Sequence, residues 1–154
     1  MIDFERRMAR PADRRRVPRG GRRSGDQEGR SPLVLVADSY AGARRPCVRY
    51  LRHFHFLIKE VGDRDRLLTT IAEALPALIL LETDLPDLSP RQLGGFLGAH
   101  GRTRSIPIIV MASGRGRAAS FGNGGFHPAA VLVKPFSLRR MLQDIRLVLR
   151  RIRS

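Results

Sequence analysis

The sequence predicts an α/β domain: five parallel strands in one sheet, with helices covering both of its faces. Three observations carry that prediction. Short apolar runs of strand length alternate along the chain with longer segments of helical period. The runs are apolar throughout rather than at every second position, as in strands buried on both faces. Each run also stops at a polar or small residue followed by turn-formers, and in a parallel sheet the carboxyl ends of the strands are where ligands bind.

The first strand is Leu33 to Ala37, ending at Asp38 and Ser39. A helix follows, because Ala43, Cys47, Val48, Leu51 and Phe54 recur at helical spacing while Arg44, Arg45, Arg49 and Arg52 fall largely on the other side. Pro46 is expected in its first turn, where a missing N–H is tolerated. Phe56 to Val61 is the second strand. Asp63 is the expected N-cap of a second helix whose apolar face carries Leu67, Leu68, Ile71, Ala72 and Leu75. The third strand, Ala77 to Leu81, runs straight into Glu82 and a turn containing Asp84, Pro86 and Asp87. Pro90 to His100 reads as a third helix through Leu93, Phe96 and Leu97. Ile106 to Ala112 is the fourth strand, with Pro107 near its start. From Gly114 to Pro128 five glycines leave little helix propensity, so any helix there is expected to be short. Ala130 to Val133 is the fifth strand, and Ser137 caps the last helix, whose apolar face runs from Leu138 to Ile152.

Of 154 residues 42% are hydrophobic, enough for the core of one domain. Residues 1 to 30 differ in texture from residues 31 to 154: they carry ten arginines, five acids and scattered Pro and Gly without a sustained period. They read as a disordered basic tail, or as an upstream stretch attached by a misplaced start. The formal net charge is +15, from 29 Lys and Arg against 14 Asp and Glu, and Lys59 and Lys134 are the only lysines. Such a charge favours nucleic acid, anionic membranes or acidic proteins as partners, and its bland alternative is an arginine bias spread over solvated surfaces. The single cysteine, Cys47, excludes an intramolecular disulfide and reads as a packed helix residue. His53, His55, His100 and His127 lack metal-ligand spacing. No apolar run reaches the ~20 residues of a membrane span, and the expected location is the cytoplasm.

At the carboxyl ends of the strands the topology should gather Asp38, Ser39, Glu82, Ala112, Ser113 and Lys134 into one pocket. With Leu35-Val-Ala-Asp-Ser39, Pro76 to Asp87 and Val131-Leu-Val-Lys-Pro-Phe136 at their observed spacing, the chain resembles the receiver domain of bacterial response regulators, the CheY-like family, over about residues 32 to 152. The resemblance implies a flavodoxin-like sheet of order 2-1-3-4-5, an order general accounts of doubly wound folds already give for CheY itself. In that family the first strand ends in two acids that help hold magnesium, and the third in an aspartate that takes a phosphoryl group from a histidine kinase. The fourth ends in Thr or Ser, and the fifth supplies a lysine.

Carried over by position, Asp38 matches the first acid and Lys134 the phosphate-site lysine, with a cis Lys134-Pro135 bond implied. Asp84 is implied to offer its backbone carbonyl to the metal. Ser39 replaces the second acid, Glu82 the phosphoacceptor aspartate, Ala112 the Thr or Ser, and Val131 the usual aromatic; Ser113 is the nearest hydroxyl substitute. Loss of an acid weakens magnesium binding, because the hard cation draws affinity from anionic oxygens. Glu82 extends about 1.5 Å beyond an aspartate, and a Glu82–Lys134 ion pair is expected in place of the phosphorylation switch.

The leading expectation is an atypical stand-alone receiver that signals by contact with a sensor kinase or downstream effector, or as a homodimer through the last helix. An ordinary phosphorylatable receiver in a phosphorelay is the second reading. A nucleic-acid-binding protein gripping phosphates with the basic tail and last helix is the third. An enzyme is not expected, since no nucleophile–base pair, metal cluster or phosphate loop emerges.

Overall fold

A computed structural model of the chain describes residues 31–122 and 127–153. The basic tail expected over residues 1 to 30 lies outside the described residues. Five strands form a single parallel sheet: β1 (Leu33–Ala37), β2 (Leu57–Val61), β3 (Leu78–Glu82), β4 (Ile108–Ala112) and β5 (Ala130–Val133), in the order β2-β1-β3-β4-β5. The order is the expected one. The helices are α1 (Ala41–His53), α2 (Arg64–Ala74), α3 (Pro90–Gly98), the single turn α4 (Gly101–Arg104), α5 (Arg115–Gly122) and α6 (Leu138–Arg153).

The unbroken apolar runs are explained by two cores, one on each side of the sheet. Alternate residues of each strand point to opposite faces. Val34 and Val36 of β1, Leu78 and Leu80 of β3, and Ile109 and Met111 of β4 pack with Cys47, Val48 and Leu51 of α1 and Met141, Leu142, Ile145 and Val148 of α6. Leu35 and Ala37, Ile79 and Leu81, and Ile108 and Val110 pack on the other side with Leu67 and Ile71 of α2, Leu93 and Leu97 of α3 and Phe121 of α5. A central strand therefore has no face left for polar residues until it ends. Each fully buried Leu or Ile contributes about 1.5–3 kcal/mol relative to exposure.

Capping sets the helix starts. Asp63 accepts the Arg66 N–H at 2.9 Å, as expected. Ser89 and Gln92 close a reciprocal capping box at the start of α3. Ser137 accepts the Arg140 N–H at 3.0 Å. Several expectations need correction. Helix α1 begins at Ala41, so Pro46 sits inside it rather than in its first turn; Pro46 is exposed, and the cost is one backbone bond on the solvent side. The third helix stops at Gly98, two residues short, and α4 then turns the chain toward β4. Ala72 is exposed rather than packed, and Leu75, at φ 46, terminates α2 in the left-handed region just before Pro76. β2 and β4 each start later than expected, at Leu57 and Ile108.

Candidate functional site

Register brings the strand ends together. Ala37 pairs with Leu81, Glu82 with Met111 and Ala112 with Val133, so Asp38, Glu82, Ser113 and Lys134 leave the sheet along one edge. Two of these groups are acids buried under the loops, with Asp38 1% and Glu82 6% exposed. The Lys134-Pro135 bond is cis, as the resemblance implied.

Asp38 is held from both sides. Its Oδ1 accepts the Tyr40 N–H at 3.0 Å, shaping the entry to α1, and its Oδ2 lies 3.4 Å from Lys134 Nζ. Arg44, from the first turn of α1, donates to the Asp38 carbonyl at 2.7 Å and through Nε to Glu60 at 2.8 Å. Glu82 is held differently. Its Oε1 accepts the Ser39 N–H at 2.9 Å and the Ser39 hydroxyl at 2.7 Å, and that hydroxyl is 3.3 Å from Oε2. The expected Glu82–Lys134 pair is therefore overturned: Lys134 pairs with Asp38. The longer side chain of Glu82 reaches the β1 loop, where Ser39 offers two donors, and the lysine meets the aspartate oxygen that Tyr40 leaves free.

Burial raises the Glu82 pKa above the usual carboxylate range. The Ser39 N–H and hydroxyl work against that rise, and the neighbouring Asp38 adds to it through a shared hydrogen bond and its charge. Ser39 thus brings a hydroxyl donor where an acid would have added a third negative charge to the cluster. Cys47 lies below this cluster, 6% exposed, in the wall of a cavity of about 290 Å³ that also touches Asp38, Met111, Lys134 and Phe136. Burial, and next the charge of Asp38, push its thiol up to about 11. The side chain packs in the core between α1 and the sheet.

Ala112 is fully buried at the end of β4, and its carbonyl accepts the Lys134 N–H at 2.8 Å. Ser113 is exposed beyond it, and Val131 is 39% exposed on β5. Arg117 is a site neighbour that the sequence reading missed. From α5 it donates to Asp84 Oδ1 and to the Thr83 carbonyl, both at 2.8 Å, so it fastens α5 to the loop after Glu82. No spacing signal announces it, because the partners are more than thirty residues apart. The Thr83 hydroxyl is buried with no hydrogen-bond partner among the described residues.

The fold is that of a response regulator receiver domain of the CheY-like kind. The chemotaxis response regulator CheY4 of Vibrio cholerae is similar, with a TM-score of 0.66 and 16% identity over 77% of this chain and 99% of that one. A CheY-like receiver domain protein from Methanospirillum hungatei has a TM-score of 0.68 and 17% identity, covering 79% and 96%. The receiver domain of the sensor histidine kinase PA1611 from Pseudomonas aeruginosa, with magnesium coordinated in its active site cleft, has a TM-score of 0.69 and 17% identity, covering 78% and 98%. In sequence, the transcriptional regulatory protein SrrA of Staphylococcus aureus is 28% identical over 121 residues, 79% of this chain. Those residues are 49% of that protein, so the chain spans about half the length of this relative. No protein-family model matches the chain.

The donor set does not fit a strong magnesium site. Asp38 already serves Tyr40 and Lys134, and Glu82 already accepts from Ser39. Among the described residues no three His, Cys, Asp or Glu side chains converge as metal ligands. A hard divalent cation draws its affinity from anionic oxygens not already neutralised. Nor, among the described residues, is any helix long and apolar enough to cross a membrane.

Proposed function

We propose that residues 31 to 154 act as an atypical receiver in two-component signalling, working through protein contacts and accepting no phosphoryl group at Glu82. The observation that carries this reading is the anchoring of Glu82 to Ser39, with Oε1 taken by two donors at 2.9 and 2.7 Å. An in-line attack on phosphorus needs an oxygen placed to about an ångström, and misplacement by that much costs about a hundredfold. Glu82 is one methylene longer than aspartate and is directed at Ser39 in the loop after β1. The same features weaken magnesium. Asp38 and Lys134 keep the remainder of the strand-end arrangement, with the cis Lys134-Pro135 bond shaping the turn into α6.

The partner in this reading is a sensor kinase or a downstream effector in the cytoplasm, with homodimerisation through the α6 face as the alternative assembly. Incubation with acetyl phosphate and magnesium tests the reading. Intact-mass measurement should find no phosphoryl adduct on the wild type, whereas an adduct would restore an ordinary phosphorelay receiver.

A further inference from the structure

Helices α1 and α6 lie on the same side of the sheet and share one core cluster. Helix α1 carries Arg44, Arg45, Arg49 and Arg52 and no acid. Helix α6 carries six arginines and one acid, Asp144, which pairs with Arg140 at 3.3 Å. Arg44 is engaged by Glu60 and by the Asp38 carbonyl. The side chains of the other three arginines of α1 are exposed and form no hydrogen bond or ion pair with the described residues.

Arg45, Arg49 and Arg52 stand at i, i+4 and i+7 and share one helix face. With Val48 and Glu60 they line an open cleft of about 290 Å³ on the side of the outer strand β2. The cleft's only acid, Glu60, is already bound by Arg44 at 2.8 Å. Three like charges around one cleft repel each other and add nothing to the fold, so they fit a partner that brings negative charge. All three are arginines, whose planar forks match phosphate oxygens in pairs. They cover about 10 Å of helix axis at about 1.5 Å per residue, a length along which one duplex strand carries about three phosphates. The basic surface continues onto α6, where Arg146 lies over the Phe54 ring at 5.4 Å and Arg139 and Arg151 are exposed. Within α1 no large apolar side chain is exposed; Tyr40 at its start and Leu147 and Ile152 of α6 are, and the vesicle arm of the test separates a lipid surface from DNA.

We propose that α1, flanked by α6, is a docking face for the phosphate backbone of duplex DNA, with Arg45, Arg49 and Arg52 each meeting one of about three successive phosphates of a strand. The surface is separate from Glu82, and the proposal does not depend on how that residue is read. The test uses the full chain and a fluorescently labelled duplex of random sequence, with anisotropy measured across a salt series. Replacing all three (Arg45→Ala, Arg49→Ala, Arg52→Ala) should lower the slope of log affinity against log salt by about 2–3, at about 0.9 per phosphate contact. Affinity at low salt should fall at least tenfold. The same charge removed from the other helical layer (Arg91→Ala, Arg102→Ala, Arg104→Ala) should leave the slope unchanged. Arg49→Gln alone should lower the slope by about one, which keeps the test valid if the triple variant does not fold. Equal loss in both triple variants, or loss in neither, overturns the proposal. So does tighter binding of polyglutamate or of phosphatidylglycerol vesicles than of DNA.

Discussion

Strands β1 and β3 run side by side, and each delivers a buried carboxyl group to the same edge of the sheet, yet the two acids are satisfied by opposite means. Asp38 is met by a cation, Lys134. Glu82 is met by the neutral donors of Ser39. A cation compensates a carboxylate's charge, while a hydroxyl and an amide satisfy its oxygens and leave the charge in place. Burial then acts on what is left, and the proton moves onto Glu82 more readily than onto an exposed glutamate. One strand end therefore holds an ion pair, and its neighbour holds an acid met by neutral donors and pushed toward its protonated form.

The sharpest way to break this comparison is to remove the cation. Lys134→Met leaves Asp38 buried beside Glu82 without its counter-charge, and urea unfolding at neutral pH should show a loss of about 2–3 kcal/mol, reduced from the fully buried case because Lys134 reaches solvent. Asp38→Asn in the same chain should recover most of that loss. At β3 the effect is smaller: Ser39→Ala removes the hydroxyl but keeps the amide donor, costing about 1–2 kcal/mol. It should also move the Glu82 titration, followed by carbon NMR of the carboxyl group, to still higher pH.

Glu82→Gln should have the opposite sign. A carboxyl whose pKa is raised on folding binds its proton more tightly in the folded state. Its stabilisation is complete below the unfolded carboxylate range and is lost as pH rises through the folded value. A neutral amide escapes that loss, so Glu82→Gln should gain on the order of 1 kcal/mol at neutral pH. Its stability should also fall less than the wild type's between acid and neutral pH. A variant less stable than the wild type at neutral pH would mean that Glu82 works as a charge.

Much of this was legible before any coordinates. The runs Leu33 to Ala37 and Ala77 to Leu81 could only be strands covered on both sides, and Asp38, Glu82 and Lys134 had to converge once the sheet was parallel. The choice of partners was not legible. Whether Lys134 takes Asp38 or Glu82 depends on where two donors of Ser39 hold a carboxyl group, a difference of one methylene that no spacing rule resolves. Pro46 misled for a related reason: the rule that confines proline to a first turn weighs the lost bond alone, and at a solvent-facing position the remaining helix outweighs it. Arg117 was hidden because its partners, Thr83 and Asp84, become neighbours only through the packing of α5 against β4.

The position of Cys47 has a practical consequence. The chain has one sulfhydryl, on the inward face of α1 and in the wall of the cavity beside Asp38 and Lys134, so a thiol reagent reaches it through that cavity. The rate at which a chromogenic disulfide labels the native protein is therefore a clock for the opening of this cavity wall. It reads this motion at a single atom, without an introduced probe, and in the region where the two carboxyl groups meet the lysine.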